Sequence, residues 1–127
     1  MNEKHATIHS TFLGINEHDT LTFWLDLDYG DATPIQGAGG IKLTGDESPM
    51  LGKPAISLIR AVLEIVGVAT WEELKGKQVR ALVGNRVHAI GNSTDDKWLD
   101  FKTLKISRRT ELKNNYKNED NVVMVTG

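Results

Sequence analysis

The sequence predicts an α+β fold, with an antiparallel sheet of about five to seven strands packed against one main apolar helix and a short second helix. Three observations predict it. Several segments alternate apolar and polar residues with period two, brief turns such as "NEHD" and Gly84-Asn85 separate them, and "PAISLIRAVLEIV" is apolar on nearly all sides at helical spacing. The chain has 127 residues, 39% hydrophobic and 25% charged, which are ordinary globular values and suit a single ligand-binding domain, 1-127.

The elements follow in order. "HATIHSTFLGI" and "TLTFWLDLDYG" are rich in β-branched and aromatic residues and form a hairpin around "NEHD". In the second arm Leu21, Phe23, Leu25 and Leu27 share one face, while Thr22, Trp24, Asp26 and Asp28 share the other. Trp24 is thereby left on the polar face, where it needs a partner or a ligand. After "DATP" the glycine-rich "TPIQGAGGIKL" is a third strand, followed by the polar loop "TGDESPMLGK".

Pro54 suits the first turn of a helix that runs to about Val66 before Gly67. Ile56, Ile59, Leu63 and Val66 form one apolar stripe and Leu58, Val62 and Ile65 a second, with Ser57, Arg60, Ala61 and Glu64 as a thin polar edge. Such a helix is expected to be buried on two sides, one against the sheet and the other against a second subunit. Thr70 and Glu73 have capping-box spacing and Gly76 is a stop, so "TWEELKG" is the short second helix.

"KQVRALVGNRVHAIGN" is a hairpin about the two-residue turn Gly84-Asn85. Its register puts Arg80, Leu82, Val87 and Ala89 on one face and Val79, Ala81, Val83, Arg86, His88 and Ile90 on the other. "DKWLDFKTLKI" is a further strand, residues 107 to 120 are a short exposed helix or a loop, and "NVVMV" is a last strand.

Composition excludes several chemistries. The absence of cysteine removes disulfides, thiolate zinc sites and a cysteine nucleophile. Residues 1 to 9 lack the pattern of a secretory signal and no apolar run approaches the roughly 20 residues of a membrane span, so a cytoplasmic location without membrane partners is expected. A net charge of -2 argues against duplex nucleic acid. The charge is graded: six acids oppose Lys4 in residues 1 to 31, whereas six bases oppose Glu111 in residues 101 to 118. The basic third suits a small anion.

No catalytic or metal motif is present. His5, His9, His18 and His88 form no paired motif, and on one strand His5 and His9 lie about 13 Å apart. Asp26, Asp28 and Asp31 read as a solvated strand face and turn, because the calcium-loop pattern is missing. None of Ser10, Ser48, Ser57, Ser93 and Ser107 sits in a nucleophile motif. "GAGG" fails both phosphate-loop spacings and precedes no helix closely, so Gly37, Gly39 and Gly40 read as a bulge or a close approach that clears space over a strand. Neither a cofactor nor a metal site is expected.

The functional constellation is diffuse. An aromatic plane stacks a base, an amide bonds its edge and a guanidinium grips a phosphate. On this chemistry the candidate binding residues are Trp98, Phe101 or Trp24 for stacking, Asn92 for base or ribose hydroxyls, Arg109 and Arg108 for a diphosphate, and Arg60 as a further anion contact.

From "ATIHSTFLGINEHDTLTFWLDLDYGD" through "QGAGG" and "LIRAVLEIVGVATWEELKGKQVRALVGNRVHAIGN" to "DKWLDF", roughly residues 6 to 101, the chain resembles small phage and prophage proteins, the Thoeris anti-defence proteins of the first type. The resemblance implies a homo-oligomer, a dimer or higher, that binds a cyclic ADP-ribose isomer made by host immunity and sequesters it without cleavage. It extends to cyclic oligonucleotides at a second site. Two other readings stand beside it: a single-stranded nucleic-acid binding module using Trp24, Trp98 and the basic tail, and an inhibitor of a host protein acting through Trp24 and the acidic strand face.

Overall fold

One long strand organises the fold. In the computed structural model, which describes residues 1–43 and 55–117, β1 (Asn2–Ile15) pairs antiparallel with two partners along different halves of its length. Residues Asn2 to Thr7 pair with β4 (Gln78–Val83), and Thr7 to Ile15 pair with β2 (Leu21–Asp28). Beyond β2 lies β3 (Gln36–Lys42); beyond β4 lie β5 (Val87–Asn92), β6 (Trp98–Asp100) and β7 (Lys105–Ser107). The result is a seven-stranded antiparallel sheet of order β3-β2-β1-β4-β5-β6-β7, curled so that β3 comes against β5. The predicted α+β architecture is what the chain adopts.

The period-two pattern of β2 sends Phe23, Leu25 and Leu27 into the main core with Ile8, Ala38, Val79, Ala81 and Ile90. Helix α1 (Ala55–Val66) closes this core with Leu58, Val62 and Ile65. Of the two helix stripes this one is deeply buried, whereas Ile59 and Leu63 are half-buried and Ile56 is 79% exposed. The helix stops at Gly67, whose positive φ of 88° lets its amide and that of Val68 both bond to the carbonyl of Leu63. Pro54, the loop "TGDESPMLGK" and the expected strand "NVVMV" lie outside the described residues.

Several local expectations are corrected. "TWEELKG" forms only a 3-10 turn, Trp71–Leu74, because Thr70 Oγ1 donates to Glu73 Oε1 at 2.9 Å and caps no backbone amide. The β4–β5 connection is a three-residue loop closed by Gly84 N–H on the Arg86 carbonyl, with a bulge that brings Val87 into the main core. "DKWLDFKTLKI" is broken into β6 and β7 by a turn over Phe101 to Leu104, in which Leu104 takes a positive φ of 60°. In the C-terminal third, α2 (Arg109–Asn115) settles the helix-or-loop alternative as a helix. It is not wholly exposed: Leu112, with Tyr116 just beyond the helix, covers Leu82, Ala89 and Trp98 in a second core on the opposite face of the sheet.

The polar strand face is solvated as expected. Asp26 accepts from Ser10 Oγ at 2.7 Å, and Asp28 and Asp31 accept turn amides of Gly30 and Thr33. Trp24 finds a partner in its cross-strand neighbour Phe12, stacked with ring centroids 4.3 Å apart. Nearby, burial and then the Asp31 charge push the Tyr29 hydroxyl up to about 12. No helix among the described residues is long and apolar enough to cross a membrane.

The glycines of β3 are not equivalent. Gly39 and Gly40, with φ of 100° and 72°, form a bulge opposite Phe23 and Trp24, and a Cβ on Gly39 would lie 2.9 Å from the Phe23 ring. A Cβ on Gly37 would meet only Asp26 Oδ1, at 3.9 Å. Gly39→Ala is therefore expected to cost about 2–3 kcal/mol in denaturant unfolding, whereas Gly37→Ala should be neutral or gain up to about 1 kcal/mol. Equal losses would contradict the steric account. Tyr29 supplies an alkaline test: with a folded pKa raised from 10.0 to about 12, its contribution to stability is complete below pH 10 and is lost as pH rises through 12. Unfolding of Tyr29→Phe across this range should lack that part of the slope.

Candidate functional site

Because the sheet curls without closing, a seam remains between the edge of β3 and the strands that face it. This seam is a cleft of about 450 Å³. Its one side is the glycine edge, Gly37, Gly39 and Gly40, continued by Ile41 and Lys42. The other is Arg86, Val87 and His88 at the start of β5, with Phe101, Lys102 and Leu104 from the β6–β7 turn and Tyr116 after α2. Among the described residues three strong bases line the cleft, Lys42, Arg86 and Lys102, and no acid does. Such a lining raises the local concentration of anions. Phe101, half-buried, and Tyr116 supply aromatic surface in the same space.

The far wall is held by one buried carboxylate. Asp100 has no exposed surface and accepts from four neutral donors: Tyr116 hydroxyl at 2.7 Å, Asn115 Nδ2 at 2.9 Å, the Lys102 amide at 2.9 Å and Thr103 Oγ1 at 3.3 Å. These bonds tie the turn that presents Phe101 and Lys102 to the end of α2. Lys102 Nζ sits over the Tyr116 ring, 5.5 Å from its centroid, with its charge still at the surface. His88 meets the same ring edge-on at 5.3 Å.

Of the residues expected to bind ligand, only Phe101 lines this cleft. Trp98 has no exposed surface and thus no face for adenine; it is the centre of the second core. Asn92 has spent its amide on structure. Its Nδ2 donates to the carbonyl of Ile65 and its Oδ1 accepts from the amides of Thr94 and Asp95, which fastens the β5–β6 loop to the end of α1. The Arg109 guanidinium is bound to Glu3 at 2.7 Å, a pairing between residues 106 positions apart.

Arg108 is exposed in a groove with Lys97 and four acids, Glu64, Asp95, Asp96 and Glu111, surroundings that repel a diphosphate. Arg60 lies with Glu64 beside a smaller hollow of about 240 Å³ between α1 and β7. Trp24 stays on the acidic outer face, half-buried against Phe12. These six residues are not gathered in the seam cleft.

Arg86, Lys102, Lys42 and Tyr116 line the cleft but are not among the residues expected from the sequence to bind a ligand. The surplus of bases in residues 101 to 118 was the available signal for Lys102, but Arg86 and Lys42 join it only through the curl of the sheet. Among the described residues no group of three or more histidine or acidic side chains is placed to hold a metal ion. Comparison with family models, curated proteins and solved structures finds no match to this chain.

The Asp100 network can be tested by unfolding. Asp100→Ala leaves four donors without their acceptor and is expected to lower stability by about 2–4 kcal/mol, and Tyr116→Phe by about 1–1.5 kcal/mol. Losses below about 0.5 kcal/mol in both would show that the wall stands without these bonds.

Proposed function

We propose that the protein binds a compact anionic nucleotide of the cyclic ADP-ribose type in the seam cleft and sequesters it without cleavage. The observation that carries the reading is the joint presence of Arg86, Lys102, Phe101 and a side-chain-free glycine edge in one cleft that has no acid among its described lining residues. A guanidinium and an ammonium suit a diphosphate, an aromatic ring suits a base, and a glycine backbone allows a flat ligand close approach. The volume of about 450 Å³ is within the roughly 300–1,000 Å³ typical of small-molecule sites.

The resemblance to Thoeris anti-defence proteins supports the same ligand class and gives the binding a purpose, which is removal of a host immune signal from solution. Retention then depends on slow release. The reading includes a homo-oligomer, which the 79% exposure of Ile56 beside the half-buried Ile59 and Leu63 supports. The acidic neighbours of Trp24, Asp26 and Asp28, disfavour the alternative of a single-stranded nucleic-acid module.

The test is to mix the protein with cyclic ADP-ribose isomers, remove it by ultrafiltration and then heat the retained fraction. Loss of signal from the native filtrate with intact signal after heating supports sequestration, whereas ADP-ribose in the heated fraction overturns it in favour of hydrolysis. Arg86→Glu with Lys102→Glu changes two exposed side chains and is expected to weaken binding about 100-fold or more while leaving the melting temperature nearly unchanged. Unaltered affinity in this variant, or no binding at micromolar protein, would reject the seam cleft.

A further inference from the structure

A second groove, away from the seam cleft, lies along the last strand of the sheet. It encloses about 530 Å³ where the end of α1, the β5–β6 loop and the start of α2 come together, with Ile106 and Ser107 of β7 also in its lining. Each of the three elements contributes acid: Glu64 from α1, Asp95 and Asp96 from the loop and Glu111 from α2, all of them exposed. The two bases of the groove, Lys97 and Arg108, do not neutralise them, because the ion pairs among the described residues all lie elsewhere. Asp96 accepts the Arg109 amide at 2.7 Å, whereas the carboxylates of Glu64, Asp95 and Glu111 have no hydrogen-bond partner among the described residues.

A line of acids alone would be ordinary solvated surface. Ser107 makes the groove more than that. It is only 8% exposed, it lines the same groove, and its Oγ is buried without a hydrogen-bond partner among the described residues. Buried polar atoms are rarely left in that condition. A hydroxyl accepts as well as donates, so a cation bearing N–H groups suits both the hydroxyl and the carboxylates around it. The loop acids are also held in place by the fold: Asn92 Oδ1 accepts the Asp95 amide at 2.8 Å, and the Asp95 carbonyl accepts from the buried Arg80 at 2.7 Å.

The spacing of the acids decides which kind of cation. Among the described residues no three histidine or acidic side chains are placed to hold a metal ion, so these carboxylates are too spread to chelate a point charge. An extended cation with several charges meets them one at a time. Ile106, 38% exposed, offers apolar surface to the hydrocarbon between the charges. The hollow of about 240 Å³ that shares Glu64 and Ile106 with the groove adds Leu58, Ala61 and Leu104, while its Arg60 keeps charged nitrogens on the groove side. We propose that this groove binds a linear aliphatic polyamine, one ammonium donating to Ser107 Oγ and the others to the acids of α1, the β5–β6 loop and α2. None of the groove residues lines the seam cleft, so the two sites are distinct.

Spermidine tests the site. Titrated into the intact chain at about 0.15 M NaCl, where diffuse attraction is screened beyond about 8 Å, it should bind saturably and shift the amide resonances of Asp95, Asp96, Ile106 and Glu111 but not those of Gly39 and Arg86. Butylamine, with one charge, should bind about tenfold more weakly or worse. Glu64→Gln with Glu111→Gln changes two exposed side chains and should weaken spermidine about tenfold at an unchanged melting temperature. Ser107→Ala, which removes one bond to a charged group, should also weaken it about tenfold. No saturation by about 1 mM spermidine, or unchanged affinity in either variant, would overturn the proposal. So would equal shifts of the same resonances by magnesium at equal charge, the mark of a diffuse counter-ion.

Discussion

Backbone hydrogen-bonding groups of a strand need partners, and β1 finds them in two strands offset along its length, one on each of its edges. Asn2 to Thr7 belong chiefly to β4 and Thr7 to Ile15 to β2, so that Thr7 alone is paired to both Asp28 and Gln78. The register shifts between Ile8 and Ser10, next to this changeover. A bulge at such a place bends the strand and increases its twist. The two halves of the sheet consequently meet at an angle, and the far strand β3 returns toward β5 instead of extending away from it. Both the main core beneath α1 and the cleft at the seam depend on that curl.

The second core uses different means from the first. Residues of the main core are almost all aliphatic or aromatic, and α1 supplies enough apolar surface to close it. Helix α2 has only seven residues, and its segment offers two buried apolar side chains, Leu112 and Tyr116. A helix that short is marginal by itself. Polar bonds make up the difference: Asp100 holds Asn115 and Tyr116 at one end, while Glu3 and Asp96 hold Arg109 at the other. Burying the Asp100 carboxylate and the Arg80 guanidinium is tolerable because each is given several partners. The arrangement also specifies position, since the donors around Asp100 and Glu3 would be unmatched in any other docking of α2.

These anchors explain why most bases of the C-terminal third do not line the seam cleft. Arg109 neutralises Glu3 and Arg108 sits among acids, whereas Lys102, two residues after the Asp100 anchor, is turned toward the seam. The cleft draws its charge from three separate elements, β3, the β4–β5 loop and the β6–β7 turn, and its openness from the glycine edge. A surface of this kind is suited to holding a compact anion that has an aromatic part.

The strands, the main helix and the leucine face of β2 were legible in the sequence because they follow from local periodicity, which the backbone imposes on any chain with that pattern. The glycines of β3 were legible in part: a bulge was readable from "GAGG", yet the difference between the constrained Gly39 and the unconstrained Gly37 rests on where Phe23 lies. Asn92 and Arg109 carried the right chemistry for a ligand, but a hydrogen-bonding side chain is equally suited to a distant partner in its own chain, and Ile65 and Glu3 took them. Trp98 was ambiguous for the same reason, since an aromatic in a short strand serves a core or a base alike until the covering element is known. The sequence by itself determined the fold class, the alternation of faces and the basic character of the C-terminal third. Only the tertiary structure decided which bases meet the glycine edge, because contacts between Arg86, Lys102 and β3 depend on the curl around β1 and not on any spacing along the chain.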